Sequence, residues 1–228
     1  MKDYVVAAPN VITVPVLGGK YFPVRRVFCV GRNYAAHARE MGGNPEREPP
    51  FFFMKPADTL VTLNADTPYP LATKNLHHEI ELVVAIGEGG SNIASANALQ
   101  HVFGYAVGID LTRRDLQDAA KAARRPWDMS KGFDASAPIG NIMPASKAGH
   151  PATGRIALSV NHALRQVGDL GDQIWPVPDS NKALSALVAL APGDLIFTGT
   201  PDGVGPLMRG DFLGGEIDGI GIVQTRIV

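Results

Sequence analysis

The sequence predicts an α+β fold, and three observations carry that prediction. Short runs with strand character outnumber helix-compatible stretches along the chain. Glycine (25) and proline (18) are spread throughout, so they punctuate many short elements and mark no single linker. Strands and helices do not alternate regularly, which argues against a doubly wound parallel sheet. The 228 residues suffice for one large core. The simplest division is one domain, 1–228, with 1–30 as a small N-terminal β segment packed on it.

The elements follow in order. Strands are expected at 4–7, 12–16, 21–24 and 27–30, with a turn at Gly18-Gly19. A short helix spans 34–41, with Asn33 as its N-cap and Gly42-Gly43 as its stop. A loop covers 46–50. Strands come next at 51–54, 79–86 and 105–109. A helix over 112–125 ends at Pro126, and its alternating charges suit a solvated face. A hairpin pairs 156–160 with 162–166. A helix over 181–189 stops at Pro192-Gly193, and late strands lie at 195–198 and 221–227.

Composition excludes several classes. A formal net charge of -1 leaves no basic excess to attract nucleic acid. The single cysteine, Cys29, allows no intrachain disulfide and sits in an apolar run as a small buried residue. The longest apolar stretch, near 184–190, is too short to span a bilayer. Met1-Lys2-Asp3-Tyr4 lacks the start of a signal peptide, so a cytoplasmic location is expected.

The chemistry gathers on acidic residues. In His77-His78-Glu79-Ile80-Glu81-Leu82, strand alternation puts Glu79 and Glu81 on one face, entering an apolar run. Two ionised carboxylates there repel unless a positive charge sits between them. Asp110 ends another apolar strand. Three carboxylates suit a hard cation, Mg²⁺ or Mn²⁺. His77 shares their parity and fits a supporting place, whereas His78 points the other way. His37 and Glu40, three apart on the short helix, share a face, so the carboxylate can orient the imidazole as a base for water. The turn Thr198-Gly199-Thr200-Pro201 has no Gly-Lys-Ser/Thr ending, so it is no nucleotide loop. Its backbone and Thr200 suit a substrate carboxylate. No Gly-x-Ser-x-Gly elbow is present.

Six segments in order resemble the fumarylacetoacetate hydrolase family. They are Gly31-Arg32-Asn33-Tyr34-Ala35-Ala36-His37-Ala38-Arg39-Glu40-Met41-Gly42, Phe52-Phe53-Met54-Lys55-Pro56, His78-Glu79-Ile80-Glu81-Leu82, Gly104-Tyr105-Ala106-Val107-Gly108-Ile109-Asp110-Leu111-Thr112, Lys131-Gly132-Phe133-Asp134 and Gly193-Asp194-Leu195-Ile196-Phe197-Thr198-Gly199-Thr200-Pro201. The resemblance implies a mixed β-sandwich roll with flanking helices, forming a homodimer. It implies Mg²⁺ or Mn²⁺ on Glu79, Glu81 and Asp110, a His37/Glu40 dyad, and Lys131 as a charged group in the pocket. Arg114, Gln117, Gly199 and Thr200 are the implied substrate contacts. The implied reaction is hydrolysis of a 2,4-dioxo acid, fumarylpyruvate to fumarate and pyruvate in gentisate-type catabolism. The alternatives are acylpyruvate hydrolysis, oxaloacetate decarboxylation, and isomerisation or decarboxylation of a heptadienedioate. The chain departs from the family at Asn161-His162, where a glycine usually follows the asparagine, at Asp179-Ser180-Asn181-Lys182, and at Arg209.

Three carboxylates and a dication leave about one negative charge by counting. An anionic 2-oxo acid substrate therefore requires Lys131 and Arg114 nearby. A substrate with a second carboxylate needs a further cation, for which Arg32, Arg124 and Arg125 are candidates. The segment 33–43, flanked by glycines, is expected to act as a lid.

Overall fold

The structure is a computed structural model, and it describes residues 4–40 and 49–228. The expected Gly42-Gly43 stop, much of the 46–50 loop and the far end of the expected lid lie outside the described residues.

A six-stranded mixed sheet forms the centre. Its order is Met143–Pro144, Val102–Ile109, Ile80–Ile86, Asp194–Phe197, Arg26–Gly31 and Phe51–Lys55. Only Asp194–Phe197 and Arg26–Gly31 run parallel; the other neighbours are antiparallel. The central strands read as continuous apolar runs because both faces are covered. Alternate residues of each strand enter different cores. Ile80, Leu82 and Val84 join one cluster with Phe28, Val30 and Ile196, while Val83 and Ala85 join the other with Val27, Cys29 and Phe197.

The first cluster is closed by a four-stranded antiparallel sheet, Ala163–Asp169, Arg155–Val160, Phe212–Ile217 and Gly221–Arg226. It contributes Ile156, Leu158, Leu213, Ile217 and Val223. This sheet-on-sheet packing is the expected sandwich, and Val177 and Leu184 of helix Val177–Leu187 flank it. The second cluster is closed by the hairpin of Thr13–Val16 and Lys20–Pro23, through Val14, Val16 and Phe22.

Several expectations need correction. No strand forms at 4–7: Tyr4, Val5 and Val6 are exposed, so their β propensity has no partner to act on. The helix expected over 112–125 begins at Arg114 and ends at Ala122, because Thr112–Arg113 is a short strand paired with Leu76–His78. The helix expected over 181–189 starts four residues earlier, at Val177. Pro178 sits in its first turn, where a missing N–H costs nothing. Strand Phe212–Ile217 hides behind Gly214-Gly215, a pair that reads as a turn. A Cβ on Gly215 would stand 2.4 Å from Ile80 Cδ1, so the glycine is what lets the two sheets approach.

Asn33 precedes helix Ala35–Glu40, but its side chain is spent elsewhere. Its Nδ2 donates to the Trp175 and Thr198 carbonyls at 2.9 and 2.7 Å, and its Oδ1 accepts from the Trp175 N–H at 2.7 Å. The buried amide therefore pins this segment to two distant loops.

Candidate active site

The site lies where the chain changes sheets. Leu76–His78 belongs to a small three-stranded sheet, and Ile80–Ile86 to the central one. Glu79 occupies the junction, and Glu81 is the second residue of the central strand, opposite Gly108. Asp110 leaves the end of the neighbouring strand, and its N–H donates to the Glu79 carbonyl at 2.8 Å. This closure gathers three buried carboxylates, each with one oxygen within 4.8 Å of the others.

Three buried cations meet them. Lys131, the last residue of the short helix Asp128–Lys131, donates to Glu79 Oε2 at 2.8 Å, Asp110 Oδ2 at 2.6 Å and Thr112 Oγ1 at 2.6 Å. Arg114, at the start of its helix, donates Nη2 to Glu79 Oε1 and Nη1 to Gln117 Oε1. Lys55 Nζ stands 2.8 Å from Asp110 Oδ1 but gives its three hydrogens to the carbonyls of Leu111, Lys131 and Ser136. Three carboxylates thus face three cations. The sequence count omitted Lys55; with it, a bound dication would leave two positive charges for a substrate to neutralise.

The residues fit such a cation. Asp110 Oδ1 is buried and accepts no hydrogen bond from the described residues. Burial, then the charges of Asp110 and Glu79, push the Glu81 carboxyl well above its usual range. Burial also opposes ionisation of Glu79, but Lys131 and Arg114 outweigh it and hold that carboxyl below its usual range. Excess Mg²⁺ or Mn²⁺ is therefore expected to raise the thermal midpoint by an amount that grows with metal concentration. At 100 times the dissociation constant the gain is roughly 2.7 kcal/mol. A midpoint indifferent to both metals after treatment with chelator would remove the site.

The other expected residues converge here. His37 is buried, its Nδ1 is 3.1 Å from Glu40 Oε2, and its ring lines the cavity that holds the acidic triad. Gly199 donates its N–H to Glu81 Oε2 at 2.7 Å. Its φ is +93°, and a Cβ there would stand 2.6 Å from Asn33 Cβ, so the position requires glycine. Arg114, Gln117, Lys131 and Thr200 also line the cavity. One wall is aromatic: Trp127 packs on Phe51 and Phe53 at 5.3 and 5.9 Å. Arg32 and Lys121 line the same cavity, each over one of these rings. Arg124 and Arg125 are exposed and do not line it.

His77 supports the site indirectly. Burial, then the Arg114 charge, lowers its imidazole to about 4, and its Nδ1 lies 3.4 Å from Arg114 Nε. His78 points away, toward Gln166. Sequence reasoning assigns no role to Lys55, Thr112, Lys121 or Gln166. A signal existed for Lys55 alone, as the single charge closing the apolar strand Phe51–Lys55.

This combination of a mixed two-sheet sandwich with a buried carboxylate triad defines the class. The family described as fumarylacetoacetate (FAA) hydrolase C-terminal matches residues 26–228, and the chain belongs to it. Its similarities within the family are specific. The chain shares 51% identity and a TM-score of 0.97 with the fumarylpyruvate hydrolase from Pseudomonas aeruginosa, solved in complex with Mn²⁺ and pyruvate, over 99% of each chain. It is 39% identical to the mitochondrial oxaloacetate tautomerase of Mus musculus, over 89% of this chain and 91% of that one. It is also 39% identical to the oxaloacetate tautomerase YcgM of Escherichia coli K12, over 91% and 94%. No helix among the described residues is long and apolar enough to cross a membrane.

Proposed function

We propose that this chain is a divalent-metal-dependent hydrolase that cleaves the carbon–carbon bond of a 2,4-dioxo acid, converting fumarylpyruvate to fumarate and pyruvate. The observation that carries this reading is His37, its Nδ1 held by Glu40, on the same cavity as Glu79, Glu81 and Asp110. A tautomerase needs only to move a proton on its substrate. A hydrolase must also activate water, and an imidazole whose Nδ1 is held by a carboxylate leaves Nε2 to accept a water proton. The likeness to a fumarylpyruvate hydrolase supports the same reading.

When bound on the triad, Mg²⁺ or Mn²⁺ supplies Lewis-acid stabilisation at the 2-oxo acid end. The chain's own residues do the rest. His37 takes a proton as water adds to the C4 carbonyl. The C3–C4 bond then breaks, and its electron pair goes to C3 as the pyruvate enolate. His37 returns its proton to C3, giving pyruvate. The water oxygen stays in the new carboxylate of fumarate, and the second water hydrogen leaves as a proton. Lys131 and Arg114 balance the anionic substrate, while Gln117 and Thr200 hold its carboxylate end and Gly199, its N–H committed to Glu81, shapes the turn that presents Thr200.

The far carboxylate falls to Arg32 and Lys121, the cations on the aromatic wall. Arg32→Ala and Lys121→Ala should each cut kcat/KM for fumarylpyruvate about tenfold or more, the worth of one hydrogen bond to a charged group, and leave acetylpyruvate turnover nearly unchanged. Equal losses on both substrates would remove this assignment.

A second reading, oxaloacetate tautomerisation or decarboxylation at the same site, is supported by the curated relatives. The protein with Mg²⁺ is to be given fumarylpyruvate, acetylpyruvate and oxaloacetate separately. Fumarylpyruvate should disappear fastest and yield equal amounts of fumarate and pyruvate. Unchanged fumarylpyruvate alongside accelerated enol–keto exchange of oxaloacetate would replace the first reading with the second.

A further inference from the structure

Two threonines flank Gly199, and their hydroxyls are used differently. Thr198 Oγ1 accepts from Gln173 Nε2 at 2.8 Å and donates to the Leu82 carbonyl at 2.9 Å. Its proton is committed inside the protein. Thr200 Oγ1 lies 2.8 Å from Gln166 Nε2, and no acceptor among the described residues takes its proton. Thr200 lines the cavity and Thr198 does not.

The orientation of Gln166 is fixed by groups with only one role. Its Oε1 is 3.1 Å from the Ile80 N–H, which can only donate. Its Nε2 is 2.9 Å from the Pro201 carbonyl, which can only accept. The carboxamide therefore cannot be turned over, and Nε2 must donate to Thr200. The same logic makes His78 Nδ1, 2.9 Å from Oε1, a donor. All four bonding positions of a fully buried amide are filled, by the two neighbours of Glu79 and by Thr200 and Pro201.

The backbone also aims this side chain. Gln166 is the one buried residue in the first five of the edge strand Ala163–Asp169. The strand pairing slips beside it, with Leu158 opposite Gln166 but Ser159 opposite Leu164, so Arg165 is the extra residue of a bulge. Bulges near sites commonly redirect a side chain.

We propose that Gln166 is a positioning residue. By donating to Thr200 Oγ1 it fills one lone pair and keeps the threonine proton turned away from the amide, available as a donor to a substrate carboxylate oxygen. Gln166 touches no substrate itself, and the inference rests on the proposed contact of Thr200 with that carboxylate. A hydroxyl set in this way favours an anionic acceptor, because Gln166 already fills one of its two lone pairs while its proton has no other acceptor among the described residues.

The test uses oxalate binding to the Mn²⁺-loaded protein, measured by calorimetry, with Mn²⁺ affinity and thermal midpoint recorded alongside. Thr200→Val, Gln166→Glu and the double variant form a cycle. Glutamate keeps an acceptor for His78 and Ile80 but removes the donor, so the threonine proton turns inward. Each single variant should weaken oxalate binding about tenfold or more, the worth of a hydrogen bond to a charged group. The factor for Gln166→Glu should shrink about tenfold when Thr200 is already Val, with the added charge cancelling between backgrounds. An equal factor in both backgrounds would overturn the role of Gln166 and leave the Thr200 contact standing. Unchanged oxalate affinity in Thr200→Val would overturn both. Nitrogen NMR of the unaltered protein gives a check independent of any variant's folding. His78 should carry its proton on Nδ1, and a proton on Nε2 alone would reverse the amide and end the proposal.

Discussion

Lys55→Met is expected to destabilise the protein by about 3–5 kcal/mol, the scale of removing one partner from a buried ion pair. The side chain has no solvent exposure, so water cannot replace what is lost. Removing the ammonium leaves Asp110 Oδ1 without its neighbouring charge and leaves the carbonyls of Leu111, Lys131 and Ser136 without their donor. Those carbonyls lie beyond the central strand, at the end of the Lys131 helix and in the loop behind it. The lysine thus braces the parts that carry Asp110 and Lys131. A chain of this length loses roughly 2–4 °C in midpoint per kcal/mol, so a fall of roughly 10 °C should be seen on heating. Excess Mg²⁺ should recover part of it by compensating Asp110. A loss under about 1 kcal/mol in denaturant titration would show that Lys55 is not a brace.

His37→Gln is expected to lower kcat for fumarylpyruvate by about 10²–10⁴-fold, the usual contribution of a positioned base. Glutamine keeps size and polarity but cannot accept the water proton as imidazole does. The triad makes no hydrogen bond to His37 among the described residues, so Mn²⁺ affinity should stay within about threefold of the unaltered protein. Rapid-quench or steady-state kinetics would read the first effect and metal titration the second. Hydrolysis that survives within tenfold would place the base elsewhere. A parallel collapse of metal binding would show that the loss is structural. Glu40, partly exposed, should give a smaller loss in the same direction, because it orients the ring without receiving the proton.

Much of the central sheet was legible because alternation is a local property. The runs at 27–30, 82–86 and 105–109 are apolar on both parities, and strands buried on both faces read that way. Phe212–Ile217 was not legible, since its two glycines serve a sheet in contact with Ile80, remote in sequence. Asn33 shows the same limit. A helix start of that kind is ordinarily capped by such a residue, yet the amide is worth more bridging Trp175 and Thr198.

The sequence by itself determined which residue types could do the chemistry and which shared a face. Glu79 and Glu81 are two apart, one just before and one inside the strand Ile80–Ile86, His37 and Glu40 three apart on a helix, and Asp110 at a strand end. Spacing within one element fixes such relations, because the backbone period is local. Only the tertiary structure decided who pairs with whom. It set Lys55 beside Asp110, hung Thr200 on Gln166, and chose Arg32 and Lys121 over Arg124 and Arg125 for the cavity wall. These are contacts between segments tens of residues apart. They depend on how the sheets close and where a bulge or a buried amide turns a side chain, and no local period encodes that.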